Sequence, residues 1–157
     1  MQMKGLDHVS FTTSDLDRAI AFYSTLLGEG PLSSGTEHGG PAAAVIGFDP
    51  LQLRFAWFAL PNTTTLLELF EYVEPRGEPA KLANNIAGNG HLGLIVDDVE
   101  AEWRRLGEAG ASFASPEPVT IQDGPWAGSK VIYMRDPDGI TIELMETPPD
   151  RAARFAA

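Results

Sequence analysis

The pattern of apolar and polar positions predicts the same order of elements twice along the chain. Each half begins with a short apolar strand, one around Val9 and one around Leu92. Each strand is followed by a segment whose apolar residues recur at helical spacing. These residues are Leu16, Ile20, Tyr23 and Leu27 in the first half, and Val99, Trp103 and Leu106 in the second.

Helix-boundary residues accompany both predicted helices. Ser14 and Asp97 precede them, and their short side-chain oxygens are typical of residues that cap the first free N–H groups of a helix. Gly28 and Gly110 follow them, and glycine favours the left-handed conformation that ends many helices. Each half is therefore expected to begin with a strand and a capped amphipathic helix.

Strand-like apolar runs follow each helix and complete a βαβββ pattern. They cover residues 43–48, 53–60 and 66–73 in the first half, and residues 112–114, 130–134 and 140–145 in the second. The sequence Asp136-Pro-Asp-Gly139 between the last two runs is a strong turn signal. We therefore predict an α+β fold of two βαβββ modules.

The two halves also align with each other without gaps. Residues 5–17 match residues 88–100 at an offset of 83, which pairs Gly5 with Gly88, His8 with His91, Asp15 with Asp98, and Leu16 with Val99. Turn-forming residues are frequent between the halves. The predicted organisation is a first module at 1–74, a linker at 75–87, a second module at 88–147 and a peripheral tail at 148–157.

Two histidines and two glutamates occupy matching positions in this repeat. His8 and His91 lie in the first strand of each half, and Glu68 and Glu143 lie in the last, otherwise apolar, strand. Alone, each histidine is better explained as a structural residue, and each glutamate equally well as a water-facing residue of an edge strand. If the halves pack about a local two-fold axis, however, the four side chains form a cage of charge −2. Mixed nitrogen and oxygen ligands suit one divalent ion: Zn, Ni, Co, Mn or Fe.

Composition and charge narrow the classes of partner. The net charge is −11 and the 11 lysines and arginines are scattered, so no basic surface for nucleic acid is expected. No apolar run approaches the roughly 18 residues of a membrane span, and residues 1–6 do not form a secretory signal. Cysteine is absent, which excludes disulfides and thiolate sites and suits a cytoplasmic protein. The expected partner is a small-molecule substrate.

The chain resembles the vicinal oxygen chelate superfamily, which includes glyoxalase I, methylmalonyl-CoA epimerase, extradiol dioxygenases and bleomycin- or fosfomycin-resistance proteins. The resemblance covers about residues 6–146. It rests on Gly-Leu-Asp-His8-Val, on Asp15-Leu-Asp-Arg-Ala-Ile-Ala-Phe-Tyr-Ser-Thr-Leu-Leu-Gly28, on Leu-Glu68-Leu, on Gly-His91-Leu-Gly, and on Asp136-Pro-Asp-Gly-Ile-Thr-Ile-Glu143-Leu. It implies paired βαβββ modules that form a cupped mixed sheet around a metal whose ligands are His8, Glu68, His91 and Glu143. It also implies a homodimer, with the metal site either within one chain or between two.

The resemblance favours a glyoxalase-like activity, because epimerases of the family commonly have Gln where this chain has Glu68. We expect a metal-dependent lyase, isomerase or epimerase that transfers a proton next to a carbonyl through an enediolate. Glu143 is the expected base and Glu68 its symmetric partner. Glutathione or coenzyme A thioesters are substrates that the resemblance suggests. The alternatives are an Fe(II) extradiol-type dioxygenase and a non-enzymatic drug-binding resistance protein on the same fold.

Three further side chains are candidates for other contacts. Arg54 and Trp126 are predicted to contact the substrate, Trp126 from a glycine-bounded loop at residues 122–128 that is a candidate lid. Arg54 and Lys130 both fall in predicted strands, where contact with an anionic group and an ion pair with a surface acid are equal alternatives for each. His38 falls in a predicted exposed loop.

Overall fold

The structure is a computed structural model that describes residues 2–150. It divides into two compact units, of which unit 1 ends at Ala80 and unit 2 begins at Lys81. This division falls inside the segment predicted to be a linker, whereas the bounds of the predicted modules stay predictions. Residues 151–157 of the predicted tail lie outside the described residues. No helix among residues 2–150 is both long enough and apolar enough to span a membrane.

Unit 1 contains a four-stranded mixed sheet. Its elements are β1 (His8–Thr12), α1 (Leu16–Leu27), β2 (Ser33–His38), α2 (Gly40–Ile46), β3 (Gln52–Ala59) and β4 (Leu66–Glu74). The strand order is β1-β4-β3-β2. The first and last strands, β1 and β4, are parallel neighbours, and the other pairs are antiparallel.

Unit 2 repeats this arrangement. Its elements are β5 (His91–Ile95), α3 (Val99–Glu108), β6 (Ser112–Phe113), β7 (Val119–Thr120), β8 (Lys130–Arg135) and β9 (Thr141–Glu146). The strand order is β5-β9-β8-β6, and the short β7 also pairs with β8. Again the first and last strands, β5 and β9, are parallel neighbours. The predicted fold class, an α+β fold of two βαβββ-like modules with mixed sheets, is confirmed.

Each sheet buries one face beneath its helix. In unit 1, Leu67 and Leu69 of β4 are fully buried, as are Ala19 and Tyr23 of α1. In unit 2, Ile142 and Leu144 of β9 and Val99 and Leu106 of α3 are almost completely buried in the same way. Because side chains alternate across a strand, the residues between these leucines and isoleucines project from the opposite face. Glu68 and Glu143 are two of them.

The predicted strand at residues 43–48 is wrong, because this segment belongs to helix α2. Pro41 lies in the first turn, where its missing N–H costs no hydrogen bond, and three alanines with high helix propensity follow. Gly47 ends the helix with φ of 86°. A short apolar run does not show whether its period is that of a strand or of a buried helix. The glycine and proline that precede this run, which are typical of a helix N-terminus, indicate the helix better.

Strand β2 was missed, because its sequence is polar and reads as a loop. It lies at one edge of the unit 1 sheet and pairs with β3 from Ser33 to His38. Five of its six residues are exposed, which explains why it lacks an apolar pattern. His38 is exposed as expected, but it ends a strand and does not lie in a loop.

The helix N-caps lie one residue later than predicted. Asp15, and not Ser14, accepts a hydrogen bond from the N–H of Arg18, and Asp98, and not Asp97, accepts one from the N–H of Ala101. At the other ends, Gly28 has the predicted left-handed conformation, with φ of 79°. Helix α3 is instead capped by Ala109, and Gly110 has positive φ one residue later.

The cap assignment in unit 2 can be tested with two neighbouring aspartates. Asp98→Ala removes the acceptor for a free N–H of α3, so the free energy of unfolding should fall by about 1 kcal/mol. Asp97→Ala changes the same residue type one position earlier, where the side chain caps nothing, and should change stability by less than about 0.5 kcal/mol. Urea unfolding followed by circular dichroism measures both. Equal losses in the two variants would contradict the assignment.

Candidate metal centre

Parallel strand pairing places one histidine and one glutamate on the same face of each sheet. In unit 1, Ser10 of β1 lies opposite Glu68 of β4, and His8 precedes Ser10 by two residues. In unit 2, Gly93 of β5 lies opposite Glu143 of β9. Residues two apart in a strand share a face, so His91 lies on the face of Glu143 just as His8 lies on the face of Glu68.

The histidine and the glutamate of each unit are close neighbours. His8 Nε2 lies 3.8 Å from Glu68 Oε2, and His91 Nε2 lies 3.1 Å from Glu143 Oε2. We call these the two His–Glu pairs. Over residues 2–150, no group of three or more His, Asp or Glu side chains comes together as a metal site. The structure therefore brings the four predicted ligands together two by two, and their convergence on one ion stays a prediction.

The environment of Glu68 fits a cation. Glu68 is only 5% exposed, and burial raises the pKa of its carboxyl above the usual value. A hydrogen bond from Ser10 and the nearby His8 oppose this rise, whereas Glu37 adds to it. A buried carboxylate is costly unless it is paired with positive charge. Imidazole nitrogens and carboxylate oxygens are both ligands of divalent metals, so the chemistry of each His–Glu pair is compatible with the ion that the family resemblance implies.

Asp7 orients the ring of His8. Asp7 Oδ2 lies 2.7 Å from His8 Nδ1, so Nδ1 donates to the carboxylate when it carries the proton. Nε2 is then free to offer its lone pair on the side of Glu68. A carboxylate on the far nitrogen is a common partner of metal-binding histidines. The equivalent position in unit 2 is Gly90, so His91 lacks this partner.

An aromatic residue flanks each His–Glu pair. Trp57 lies opposite Glu68 in the sheet, with its ring 5.3 Å from that of His8. Tyr133 lies opposite Glu143, with its ring 5.4 Å from that of His91. Burial and the charge of Glu143 raise the pKa of the Tyr133 hydroxyl. The sequence analysis missed both aromatics, because only the pairing of neighbouring antiparallel strands places them beside the glutamates.

Arg54 is already engaged on the other face of the unit 1 sheet. It lies opposite Glu71 in the sheet, three positions along β3 from Trp57. Its guanidinium lies 2.7 Å from Asp17 and 2.8 Å from Glu71, and these contacts, with Asp17 foremost, raise its pKa. The alternative expectation of an ion pair with a surface acid is therefore confirmed. The predicted contact between Arg54 and a substrate stays a prediction.

The same charge arrangement recurs in unit 2, where the alternative expectation that Lys130 pairs with a surface acid is also confirmed. Lys130 lies opposite Glu146 in the sheet and 2.8 Å from Glu100 of helix α3. Glu146 accepts a hydrogen bond from the N–H of Val99, the first residue of α3. In unit 1, Glu71 likewise accepts from the N–H of Leu16, the first residue of α1. Each last strand therefore carries one glutamate toward the histidine and another toward the start of the helix.

Trp126 lies in the turn that joins β7 to β8. The turn is closed by a hydrogen bond from the Ala127 N–H to the Gly124 carbonyl, and at its base the N–H of Gly128 donates to the carbonyl of Ile121. Trp126 is partly buried. Its proposed contact with substrate and the proposed movement of the loop as a lid stay predictions.

The contact between Asp7 and His8 predicts a pH effect in metal-free protein. The hydrogen bond from His8 to Asp7 raises the pKa of His8 above its ordinary value of 6.5, against the opposing effect of burial. Asp7→Asn weakens the acceptor and removes its charge, so the His8 pKa should fall. The ring-proton NMR signals of His8, followed against pH, measure this change.

Two controls accompany that titration. The signals of His38 and His91 should titrate as in the wild type, because neither histidine contacts Asp7. Asp123→Asn, an exposed change of the same type, should leave His8 unaffected. An unchanged His8 pKa in Asp7→Asn would show that Asp7 does not hold the ring.

Comparison with known proteins identifies the family of this chain. The family model described as the glyoxalase/bleomycin resistance protein/dioxygenase superfamily matches residues 5–144. A 2-epi-5-epi-valiolone epimerase from Actinomyces sp. is 31% identical over 144 residues, which cover 90% of this chain and 78% of that protein. A lactoylglutathione lyase from Salmonella typhimurium is 27% identical over 148 residues, which cover 88% of this chain and 90% of that protein.

A solved structure shows the same fold. The crystal structure of a glyoxalase family protein from Bacillus cereus matches with a TM-score of 0.78 at 22% identity, covering 94% of this chain and 96% of that one. At this level of identity the match bears on the fold alone. Together with the family model, which spans most of the sequence, it leads to one conclusion: the chain belongs to the glyoxalase/bleomycin resistance protein/dioxygenase superfamily.

Proposed function

We propose that this protein is a metal-dependent enzyme that moves a proton at a carbon next to a carbonyl group. One divalent ion is held by His8, Glu68, His91 and Glu143, supplied as two His–Glu pairs. The observation that carries the proposal is the equivalence of these pairs: each joins the first residue of a first strand to the third residue of the parallel last strand. A single such pair is common in structural roles, but two at equivalent positions indicate a shared purpose.

The side chains proposed as metal ligands determine which chemistry the site can carry out. Two neutral imidazoles and two carboxylates carry a charge of −2, which a divalent ion neutralises. When bound, such an ion supplies Lewis-acid stabilisation of the negative charge that develops on the substrate oxygens. The protein's own residues then have to bind the substrate, exclude water and accept the proton.

We assign proton removal to Glu143 and the symmetric position to Glu68. The Glu143 side chain is 14% exposed and that of Glu68 is 7% exposed, so Glu143 is the more accessible to a substrate. Tyr133 and Trp57 stand beside the two carboxylates and limit the access of water to them. A general base placed in this way contributes roughly 10²- to 10⁴-fold to the rate.

The named relatives suggest two substrate classes. The valiolone epimerase is named for inverting a stereocentre, and inversion at a carbon beside a ketone requires removal and return of a proton at that carbon. Forming lactoylglutathione from a thiohemiacetal also moves a proton at a carbon next to a carbonyl. The strand cations Arg54 and Lys130 are both paired with acids, and the net charge is −11, which favours a neutral polyhydroxylated ketone over an anionic glutathione conjugate. We therefore place the polyhydroxylated ketone first.

The metal assignment is tested by the three histidines of the chain. Protein purified without chelator should contain about one divalent ion per cage, measured by elemental analysis. His8→Ala and His91→Ala each remove one nitrogen ligand and should bind the ion at least about tenfold more weakly. His38→Ala is the matched control, because His38 is exposed on the edge strand β2, and it should keep full metal content. Full metal content in both of the first two variants would eliminate the site.

The assignment of the base is tested by Glu143→Gln. This change keeps the shape and one ligating oxygen but removes the negative charge, so some metal should remain while turnover falls by about 10²-fold or more. The wild type should exchange deuterium from solvent into the carbon next to the substrate carbonyl, measured by NMR. The substrates to use are 2-epi-5-epi-valiolone and the thiohemiacetal of glutathione and methylglyoxal.

The control for this variant is Glu117→Gln, an exposed change of the same type in unit 2, which should leave exchange intact. The rival functions give different signals. A dioxygenase loaded with Fe(II) would consume O₂ with a catechol, and a drug-binding protein would bind its ligand tightly without turnover or exchange. Either result would replace the proposed function while leaving the fold unchanged.

A further inference from the structure

A second group of polar side chains lies on the same face of the unit 2 sheet as His91 and Glu143. Thr141 lies directly opposite His91 in the parallel pairing of β5 with β9, and Arg135 lies directly opposite Thr141 in the antiparallel pairing of β8 with β9. Directly opposite residues share a face of a sheet, so His91, Thr141 and Arg135 form one row across three strands. Glu143 follows Thr141 by two residues and lies in the next row of the same face.

A closed ring of hydrogen bonds joins Arg135 and Thr141 to Asn84, which lies in the segment before β5. Arg135 Nη1 donates to Thr141 Oγ1, and Thr141 Oγ1 donates to Asn84 Oδ1 at 2.8 Å. Arg135 Nη2 donates to the same Oδ1 at 2.9 Å, and Nη1 also donates to the carbonyl of Gly139 at 3.2 Å. Because arginine can only donate, the amide atom of Asn84 that faces it must be the oxygen. We call Arg135, Thr141 and Asn84 the Arg135 cluster.

The hydrogen-bonding groups that the Arg135 cluster leaves unused are N–H donors. Nη1 donates twice and Nη2 once, which leaves Nε–H and the second N–H of Nη2 together on one edge of the planar guanidinium. The Asn84 amide, held by its oxygen, leaves both N–H groups of Nδ2 unused. Over residues 2–150 these groups have no acceptor, and Arg135 is only partly buried while Asn84 is exposed. The cluster is therefore complementary to a ligand that offers oxygen acceptors side by side.

The cluster lies within reach of a ligand held at the proposed base. Arg135 and Glu143 are diagonal neighbours on the adjacent strands β8 and β9, so their Cα atoms are about 7–8 Å apart. Their side chains rise from the same face of the sheet. A ligand of the size of a sugar can therefore place the carbon next to its carbonyl at Glu143 and a distant pair of oxygens at Arg135.

Two kinds of oxygen pair fit the free edge of the Arg135 guanidinium: the hydroxyls of a vicinal diol, and the oxygens of a carboxylate or phosphate. The charge of the surroundings favours the diol. The carboxylate of Glu143 lies on the same face and the net charge of the chain is −11, so an anion is repelled whereas a neutral diol is not.

We propose that Arg135 and Asn84 form a subsite that binds a vicinal diol of the substrate and so sets specificity for polyhydroxylated ketones. Arg135 donates to the diol through Nε and Nη2, and Asn84 donates to a further oxygen through Nδ2. Thr141 does not contact the ligand and holds the two side chains in place. The proposal rests on the proposed function, because the polyhydroxylated ketone named there supplies the diol, but it requires side chains of unit 2 alone.

The first test observes the subsite directly in metal-free protein. The Nε–H signals of the arginine side chains are followed by NMR while 2-epi-5-epi-valiolone is added. The Arg135 signal should shift until it saturates, whereas the signal of Arg54, which is bonded to Asp17 and Glu71, should not move. Cyclohexanone, which has the ketone but no hydroxyl groups, and inorganic phosphate should leave the Arg135 signal in place. A shift with phosphate and none with 2-epi-5-epi-valiolone would overturn the assignment to a diol.

The second test separates recognition from a merely structural role of the Arg135 cluster. Asn84→Asp keeps the oxygen that holds Arg135 but loses the N–H donors and gives Arg135 an acid partner. The KM for 2-epi-5-epi-valiolone should therefore rise by about tenfold, without a fall in melting temperature. Arg135→Lys keeps the charge but lacks the paired donors, and should also raise KM by about tenfold. In both variants kcat should stay within about twofold of the wild type, because only uniform binding is lost.

Matched controls are available in the same unit. Asn85→Asp makes the same change at the next, exposed position, and Arg104→Lys does so on the exposed side of helix α3. Both controls should leave KM and melting temperature unchanged.

The outcomes distinguish this proposal from the function on which it rests. An unchanged KM in both Asn84→Asp and Arg135→Lys, with a change in melting temperature alone, would show that the cluster is purely structural and would overturn this proposal only. A shift of the Arg135 signal in a protein that exchanges no deuterium into 2-epi-5-epi-valiolone would overturn the proposed function and leave the diol subsite standing. The absence of both the shift and the exchange would overturn both.

Discussion

The parallel pairing of the first and last strand within each unit is the constraint on which the candidate site depends. These strands are far apart in the sequence, yet their register puts Ser10 opposite Glu68 and Gly93 opposite Glu143. Alternation along the strands then brings a histidine to the same face as each glutamate. The opposite face is occupied by leucine and isoleucine side chains buried against the helix. A hydrophobic core on one face therefore positions the polar groups on the other.

The sequence predicted the fold class and the four candidate ligands, because the repeat preserves residue type at those positions. The sequence-based prediction failed where the residues of a segment are not typical of the strand or helix that the segment forms. Strand β2 is polar because it lies at an edge, and helix α2 has an apolar run too short to show a period. Trp57 and Tyr133 were missed because their closeness to the glutamates comes from antiparallel pairing between strands, which a comparison of the two halves at one fixed offset does not include.

The two units share the contacts on the helix side of their sheets and differ around their His–Glu pairs. The helix-side contacts are nearly identical in the two units, with Arg54 and Lys130 bonded to an acid of the helix and placed opposite a glutamate of the last strand. The contacts around the His–Glu pairs differ, since Asp7 and Ser10 have only glycines as counterparts in unit 2. The contacts on the helix side are thus the same in both units, while single residues of the first strand set the environment of each carboxylate.

The placement of two glutamates three residues apart in β4 and in β9 has a further consequence. Glu68 projects from one face of its strand, and Glu71 from the other, where it caps helix α1; Glu143 and Glu146 do the same in unit 2. A slip of the strand by one residue would turn the first glutamate into the apolar core and remove the second from the helix. A single-residue insertion in the preceding hairpin would therefore disrupt the core of the unit as well as its His–Glu pair. The register that folding requires is the same register that places each glutamate beside its histidine.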